Sequence, residues 1–112
     1  MTPQAFARLA LAFPEAVQAS HMNHPDFRIR NKIFATIHPD NKRAMVKLTP
    51  EQQSAFLTAH PTLFTPCQGG WGRSGATYIT LKSARKRIVL PALLQAWRNL
   101  APKGLRDRLE PV

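Results

Sequence analysis

The sequence has few acidic residues and a single cysteine, and each shortage excludes a class of protein. Its 112 residues contain six Asp and Glu against sixteen Lys and Arg, a formal net charge of +10. The carboxylates are scattered, which argues against a site for hard cations built from several oxygen ligands. Because Cys67 is the only cysteine, no disulfide can form within the chain. We therefore expect a reducing, cytoplasmic location.

Long hydrophobic runs are also missing. The longest apolar segment, Ile88 to Leu94, has seven residues and includes Pro91, whereas a membrane-spanning helix needs about 20. The sequence therefore predicts no membrane span. Arg8 interrupts the N-terminal apolar stretch, so we expect no secretory signal. With 44% hydrophobic residues at an ordinary domain length, residues 1–112 are expected to form one domain.

The spacing of apolar residues predicts an α+β fold. Phe6, Leu9, Ala10 and Phe13 recur at helical spacing, and residues 15–48 alternate with period two between turn residues, which is typical of an antiparallel meander. Thr49, Pro50 and Gln52 form the pattern of a capping box at the start of a short helix.

The C-terminal half is expected to add one strand and one helix. Residues 61–75, rich in Pro and Gly, are expected to be a loop, and residues 76–82 alternate again as a strand. Ser83 is a candidate cap for a closing helix with Leu90, Leu93, Leu94, Trp97 and Leu100 on its apolar side; alternatively, that helix begins near Pro91. The expected architecture is an antiparallel β-sheet with the N- and C-terminal helices packed on one face.

Positive charge accumulates where no acid balances it, since residues 52–106 contain no Asp or Glu. Strand alternation predicts that Arg28 and Arg30 share a solvent face, and turn residues place Lys32 in one hairpin and Lys42 with Arg43 in the next. The two hairpins therefore form two basic wings. A solubilising surface is the simpler interpretation, and a negatively charged partner is the sharper one.

A second basic cluster surrounds the predicted start of the last helix: Lys82, Arg85, Lys86 and Arg87. Cations at a helix N-terminus are disfavoured by about 0.3 to 1 kcal/mol each, because the free N–H groups already make that end positive. A phosphate bound there would reverse the effect. If the helix begins near Pro91 instead, the same residues lie in an ordinary loop.

The glycine-rich segment 69–75 contains Trp71 and Arg73. An aromatic ring beside a cation can stack on a base or hold a phosphate backbone. The more frequent use of such a Trp is to fill a core, with the glycines permitting tight turns. Arg73 is the stronger binding candidate of the two.

The sequence gives only weak evidence for a metal site or a catalytic nucleophile. His21 and His24 are three residues apart, which puts them on opposite sides of a strand, and His38 and Cys67 complete no second ligand pair. We predict no metal site. Cys67 could pair with a histidine, but a lone cysteine is more often a small, partly buried thiol.

Five segments together resemble the MmcQ/YjbR family: Ser20–Arg28, Lys32–Ala35, Met45–Gln52, Gly69–Thr77 and Ala96–Arg98. The resemblance spans nearly the whole chain in the right order. It implies a CyaY-like α+β fold and a double-wing DNA-binding role, the wings being β-hairpins, with no established enzymatic activity. A frataxin-like iron-binding role would need an acidic ridge, which this chain lacks.

The wing proposal maps onto Arg28, Arg30 and Lys32 in the first hairpin and onto Lys42, Arg43 and Lys47 in the second. The sequence departs from the family pattern at Arg30 and Asn31, where a glycine-rich turn is expected. Asn tolerates the left-handed backbone better than most residues, so we expect the hairpin to persist.

The leading hypothesis is a small, cofactor-free, non-enzymatic protein that binds double-stranded DNA through its phosphates with little sequence specificity. One alternative is an adaptor for an acidic protein. Another is an enzyme using His24, Asp26 or Cys67, which predicts a concave pocket where these residues converge. The predicted nucleic-acid-binding residues are Arg28, Arg30, Lys32, Lys42, Arg43, Lys47, Arg73, Lys82, Arg85, Lys86 and Arg87, with Trp71 as a stacking candidate.

Overall fold

A computed structural model of the chain describes residues 1–109, so the last three residues of the expected 1–112 domain lie outside the described part. The fold is α+β, as expected, and its sheet is antiparallel with strand order β1-β2-β3-β4-β6-β5. The strands are β1 (Val17–His21), β2 (His24–Ile29), β3 (Lys32–Ile37), β4 (Arg43–Lys47), β5 (Phe64–Pro66) and β6 (Ala76–Thr80). The helices are α1 (Pro3–Leu11), α2 (Pro50–Ala59), α3 (Gly69–Arg73), α4 (Lys86–Leu100) and α5 (Lys103–Asp107).

The first two long helices begin at the predicted caps. Thr2 Oγ1 accepts the Ala5 N–H at 3.0 Å at the start of α1. At the start of α2, Thr49 Oγ1 accepts the Gln52 N–H at 3.2 Å while the Gln52 side chain accepts the Thr49 N–H at 2.9 Å. The capping box predicted from the sequence is therefore confirmed.

The two sides of the sheet differ in chemistry. The cross-strand row Phe27–Ala35–Val46–Thr77 lies on the side where α1 and α4 pack, and its residues are buried. Phe6 of α1 meets the edge of the Phe27 ring at 6.1 Å between centroids. Trp97 of α4 is fully buried and donates its indole N–H to the Pro14 carbonyl at 3.1 Å. The N- and C-terminal helices thus cover one face, as expected.

The opposite side is called here the open face. The row Asp26–Thr36–Met45–Tyr78–Thr65 crosses it from β2 to β5. The short helix α3 borders it beside the start of β6. Strand alternation predicts that Met45 and Tyr78 share a face, and their direct pairing across β4 and β6 confirms this.

Three predictions about the C-terminal half are wrong. Residues 61–75 contain β5 and α3 rather than a plain loop. The strand ends at Thr80, and Leu81–Ser83 form a 3₁₀ turn. Helix α4 has Arg85, not Ser83, at its N-cap, and it passes through Pro91 instead of beginning there.

Two side-chain placements also need correction. On α4, the buried side consists of Val89, Ala92, Leu93, Ala96 and Trp97, which recur at i, i+3, i+4, i+7 and i+8, so Leu90 falls outside this face and is exposed. Arg30 is not a strand residue. It occupies a two-residue hairpin turn with Asn31, both at positive φ (52° and 66°), which matches the twist of the flanking strands without glycine.

In the described part of the chain, every helix is too short or too polar to cross a membrane.

Candidate functional site

The two predicted wings lie at opposite ends of the sheet. The β2–β3 turn (Arg30, Asn31) and the β3–β4 turn (residues 38–42) flank β3. An antiparallel strand of six residues separates its two turns by about 20 Å. The wings therefore cannot form one compact patch.

Acidic neighbours bind two of the three cations in the first wing. Arg28 donates to both carboxylate oxygens of Asp26, at 2.7 and 3.0 Å. Arg30 donates to both oxygens of Glu15, at 2.6 and 3.0 Å. Lys32 pairs with the core-facing Ile29, which puts it at the sheet's end on the helix-covered side. The first wing thus carries less free charge than its sequence indicates.

The second wing is also divided. Arg43 Nε lies 3.1 Å from Asp40 Oδ2, and its guanidinium lies over the Tyr78 ring, 4.3 Å from the centroid. Backbone N–H donors at Lys42 and Arg43 help to hold the pKa of Asp40 down at about 2. Lys47 is at the other end of β4, away from the turn. Lys42 is therefore the exposed cation that the β3–β4 turn contributes.

Lys42 meets the second predicted cluster. The Leu81 N–H donates to the Lys42 carbonyl at 3.0 Å, so the β3–β4 turn lies against the 3₁₀ turn that leads into α4. All five cations in this region are exposed, and within residues 1–109 none of them lies within ion-pair distance of a carboxylate. This group, called here the basic end, consists of Lys42, Lys82, Arg85, Lys86 and Arg87.

Trp71 does not fill the core, contrary to the more frequent pattern. Its side chain is 68% exposed on α3, and the Lys47 ammonium lies 5.9 Å from its ring centroid. Arg73 ends the same short helix, at the sheet end opposite the basic end. The glycines do permit close packing, since a Cβ on Gly72 would lie 1.8 Å from the Cys67 carbonyl oxygen.

A concave pocket of about 330 Å³ lies in the open face, and His21, His24 and Cys67 converge on it. The expectation that the two histidines lie on opposite sides of a strand is wrong, because they pair across the turn between β1 and β2 with ring centroids 4.3 Å apart. The pocket partly meets the geometric condition set by the enzyme alternative. Burial, however, raises the pKa of the Cys67 thiol to about 11, which keeps it protonated at neutral pH. The other lining residues are Thr36, His38, Pro39, Met45, Gln68, Trp71, Ala76 and Tyr78.

Asp26 joins two of the strands beneath this pocket. Its carboxylate is fully buried, and besides Arg28 it contacts His21 Nδ1 at 2.8 Å. The Arg28 guanidinium is the main cause that keeps the pKa of Asp26 below its ordinary value. Asp26 is thus a fixed anion that orients His21. In residues 1–109, no three His, Cys, Asp or Glu side chains form a group that could hold a metal ion.

The YjbR family model matches residues 11–99, which is most of the chain. The chain belongs to the YjbR family. A solved structure, Deinococcus radiodurans protein DR2400 with its DUF419 domain, resembles the fold with a TM-score of 0.72 at 17% sequence identity. The match covers 96% of this chain and 87% of that one. No curated protein matches the sequence.

For this YjbR-family chain, the sequence predicted a pocket only as a consequence of the enzyme alternative, and it did not indicate most of the lining residues. The signal for the pocket floor was present, because alternation puts Thr36, Met45 and Tyr78 on faces that the strand register then aligns. The pairing of Arg28 with Asp26 could also be predicted from the sequence, since residues two apart on a strand share a face. The Arg30–Glu15 pair and the position of Trp71 depend on loop closure, for which the sequence carries no local pattern.

Proposed function

We propose that this chain is a non-enzymatic nucleic-acid-binding protein that holds the phosphates of double-stranded DNA, with little sequence specificity. The observation that carries the proposal is the basic end, where a backbone hydrogen bond joins two chain segments that carry five exposed cations, none of which has a carboxylate partner in the described residues. Duplex DNA presents one negative charge per about 1.7 Å of its axis, so a cluster of this kind can neutralise several phosphates at once.

Folding alone does not favour this arrangement. Arg85, Lys86 and Arg87 occupy the cap and first turn of α4, and no side chain caps the free N–H groups there. Each cation at such a position is disfavoured by about 0.3 to 1 kcal/mol. A phosphate at the helix start would be attracted both by the cations and by the N–H groups. Its binding would therefore offset the electrostatic repulsion between the cations and the helix N-terminus in the isolated protein.

The resemblance to the family suggested a double-wing binding mode. Because Arg28 and Arg30 are bound to Asp26 and Glu15, the basic end supports the proposal better than the first wing does. We therefore assign the main DNA contact to Lys42 and the start of α4. A single thiol and no disulfide fit the cytoplasmic location that we propose with it.

The test is fluorescence anisotropy of a labelled duplex of about two helical turns. We expect the double variant Lys42→Gln/Lys82→Gln to bind clearly more weakly than the wild type. The matched control is Lys103→Gln/Arg108→Gln, which removes the same charge from the α5 region. If both double variants lose the same duplex affinity, the loss reflects net charge alone, and a localised binding site is contradicted.

An acidic protein partner is the competing outcome. In that case duplex binding would be weak, would not depend on duplex length, and would be unaffected by either double variant. Tight, length-dependent binding that the basic-end variant weakens excludes it.

A further inference from the structure

One wall of the pocket in the open face is the Trp71 side chain, whose exposed position does not stabilise the fold. Burying an aromatic side chain is one of the largest gains available to a small domain, yet the Trp71 indole is 68% exposed. Its helix is nevertheless held firmly. Gln53 Nε2 donates to the Gly72 carbonyl at 3.0 Å, and Gly72 packs directly against the Cys67 backbone. The ring is therefore presented on a fixed support and leaves one aromatic surface for a ligand.

A cation without a carboxylate partner accompanies this ring. Lys47 lies 5.9 Å from the Trp71 centroid, and within residues 1–109 no carboxylate lies within ion-pair distance of it. The two residues thus combine an aromatic surface with a positive charge. This pairing suits a ligand that has a flat ring and an attached anion.

Polar groups for the edge of a flat ring line the same pocket. His21 uses Nδ1 for Asp26, and His24 uses Nδ1 for the Ile37 carbonyl at 3.0 Å. Each ring keeps Nε2 without a hydrogen-bond partner in the described residues. Thr36 and Tyr78 add hydroxyl groups to the lining, and Met45 adds an apolar contact. The pocket therefore has both the flat surface and the hydrogen-bonding groups that a heterocyclic base needs.

We propose that this pocket binds one unpaired nucleotide, its base stacked on Trp71 and its phosphate held by Lys47. Arg43 lies between the basic end and the pocket. It follows Lys42 in the chain, and its guanidinium covers the ring of Tyr78, which lines the pocket. A strand bound at the basic end could thus place an unstacked base in the pocket. If the nucleotide belongs to a nucleic-acid strand, this inference rests on the proposed function. If it is a free nucleotide, the inference requires the pocket alone.

The test compares labelled thymidine ten-mers with abasic ten-mers that have the same phosphates. Base stacking on an aromatic side chain strengthens binding by about 5- to 150-fold, so wild-type protein is expected to prefer the thymidine strand by a factor in this range. Trp71→Ala should reduce the preference to near one while leaving the abasic strand's affinity unchanged. Lys47→Gln should weaken binding of both strands. The matched control, Leu11→Ala, removes an exposed apolar side chain on α1 and should keep the preference.

A thymidine monophosphate titration, followed by the intrinsic fluorescence of Trp71 and Trp97 with Trp71→Ala as the comparison, separates the two sources of the nucleotide. If both strands bind equally to the wild type and the monophosphate leaves the fluorescence unchanged, the pocket inference is wrong and phosphate binding at the basic end stands. If no strand or duplex binds but the monophosphate quenches the fluorescence, and Trp71→Ala abolishes the response, the pocket holds and the DNA proposal fails. If nothing binds, both are overturned.

Discussion

His21 Nδ1 lies 2.8 Å from Oδ2 of Asp26, so a side chain from β1 and a buried carboxylate from β2 are joined beneath the open-face pocket. Arg28 completes the group by donating to both oxygens of the same carboxylate. A buried anion with two cationic or hydrogen-bonding neighbours is costly to form and more costly to leave incomplete. We therefore expect the sheet to be sensitive to substitution of Asp26.

We expect Asp26→Ala to destabilise the protein by about 1 to 3 kcal/mol, because His21 and Arg28 lose their shared acceptor while the partly exposed Arg28 guanidinium can still be solvated. The measurement is urea unfolding followed by circular dichroism at pH 7. The matched control is Asp107→Ala, which breaks an exposed pair with Lys103 and should change stability by about 1 kcal/mol or less. Similar losses in the two variants would show that the Asp26 group contributes no more than a surface ion pair.

The same group predicts a pH dependence. The pKa of Asp26 is lowered in the folded protein from its ordinary value of 3.8. Its stabilising contribution is therefore fully present above that value and is lost as the pH falls through the folded pKa. The unfolding free energy of the wild type should therefore approach that of Asp26→Asn as the pH falls from about 5 to about 2. A gap that stays constant over this range would contradict the assignment.

Local patterns predicted the fold well because they depend on near neighbours. Thr49 and Gln52 specify the cap of α2, and alternation specifies that Phe27 and Ile29 face the core. Charge in the candidate site was harder to predict. Arg30 reads as a free cation in the sequence, but the closure of fifteen residues of chain brings it to Glu15. The segments that carry Lys42 and Lys82 come together only because β6 ends beside the β3–β4 turn, a long-range consequence of the strand order.

Gly75 is expected to be intolerant of any side chain. Its φ is +113°, and a Cβ there would lie 2.0 Å from the Leu48 carbonyl oxygen. Gly75→Ala should therefore cost at least about 1 to 3 kcal/mol in unfolding free energy. Gly104→Ala is the control, because it lies in α5 with open space around it and should stabilise by up to about 1 kcal/mol. Thermal unfolding of both variants measures the difference, and equal midpoints would refute the close approach.

Cys67 is expected to be a slow nucleophile. Burial raises its pKa from 9.0 to about 11, so the reactive thiolate is about a hundredfold scarcer at neutral pH than in the unfolded chain. The iodoacetamide alkylation rate of the folded protein should be lower than the rate in denaturing urea by at least about tenfold, because a thiolate of higher pKa is scarcer but also more nucleophilic. The folded rate should also keep rising with pH beyond 9.0. Equal folded and unfolded rates would show an accessible thiol with an unshifted pKa and contradict the prediction, and a faster folded rate would indicate an activated thiol and favour an enzyme.

Salt dependence gives the most direct measure of the basic end. If its five cations each neutralise one phosphate, the logarithm of the duplex association constant should fall with the logarithm of salt concentration at a slope of about −4.5. Lys42→Gln/Lys82→Gln should reduce the slope to about −2.7, because two contacts are removed. Arg30→Gln should leave it almost unchanged, since Arg30 is bound to Glu15. A wild-type slope near zero, or a larger change from Arg30→Gln than from the double variant, would move the DNA contact away from the basic end.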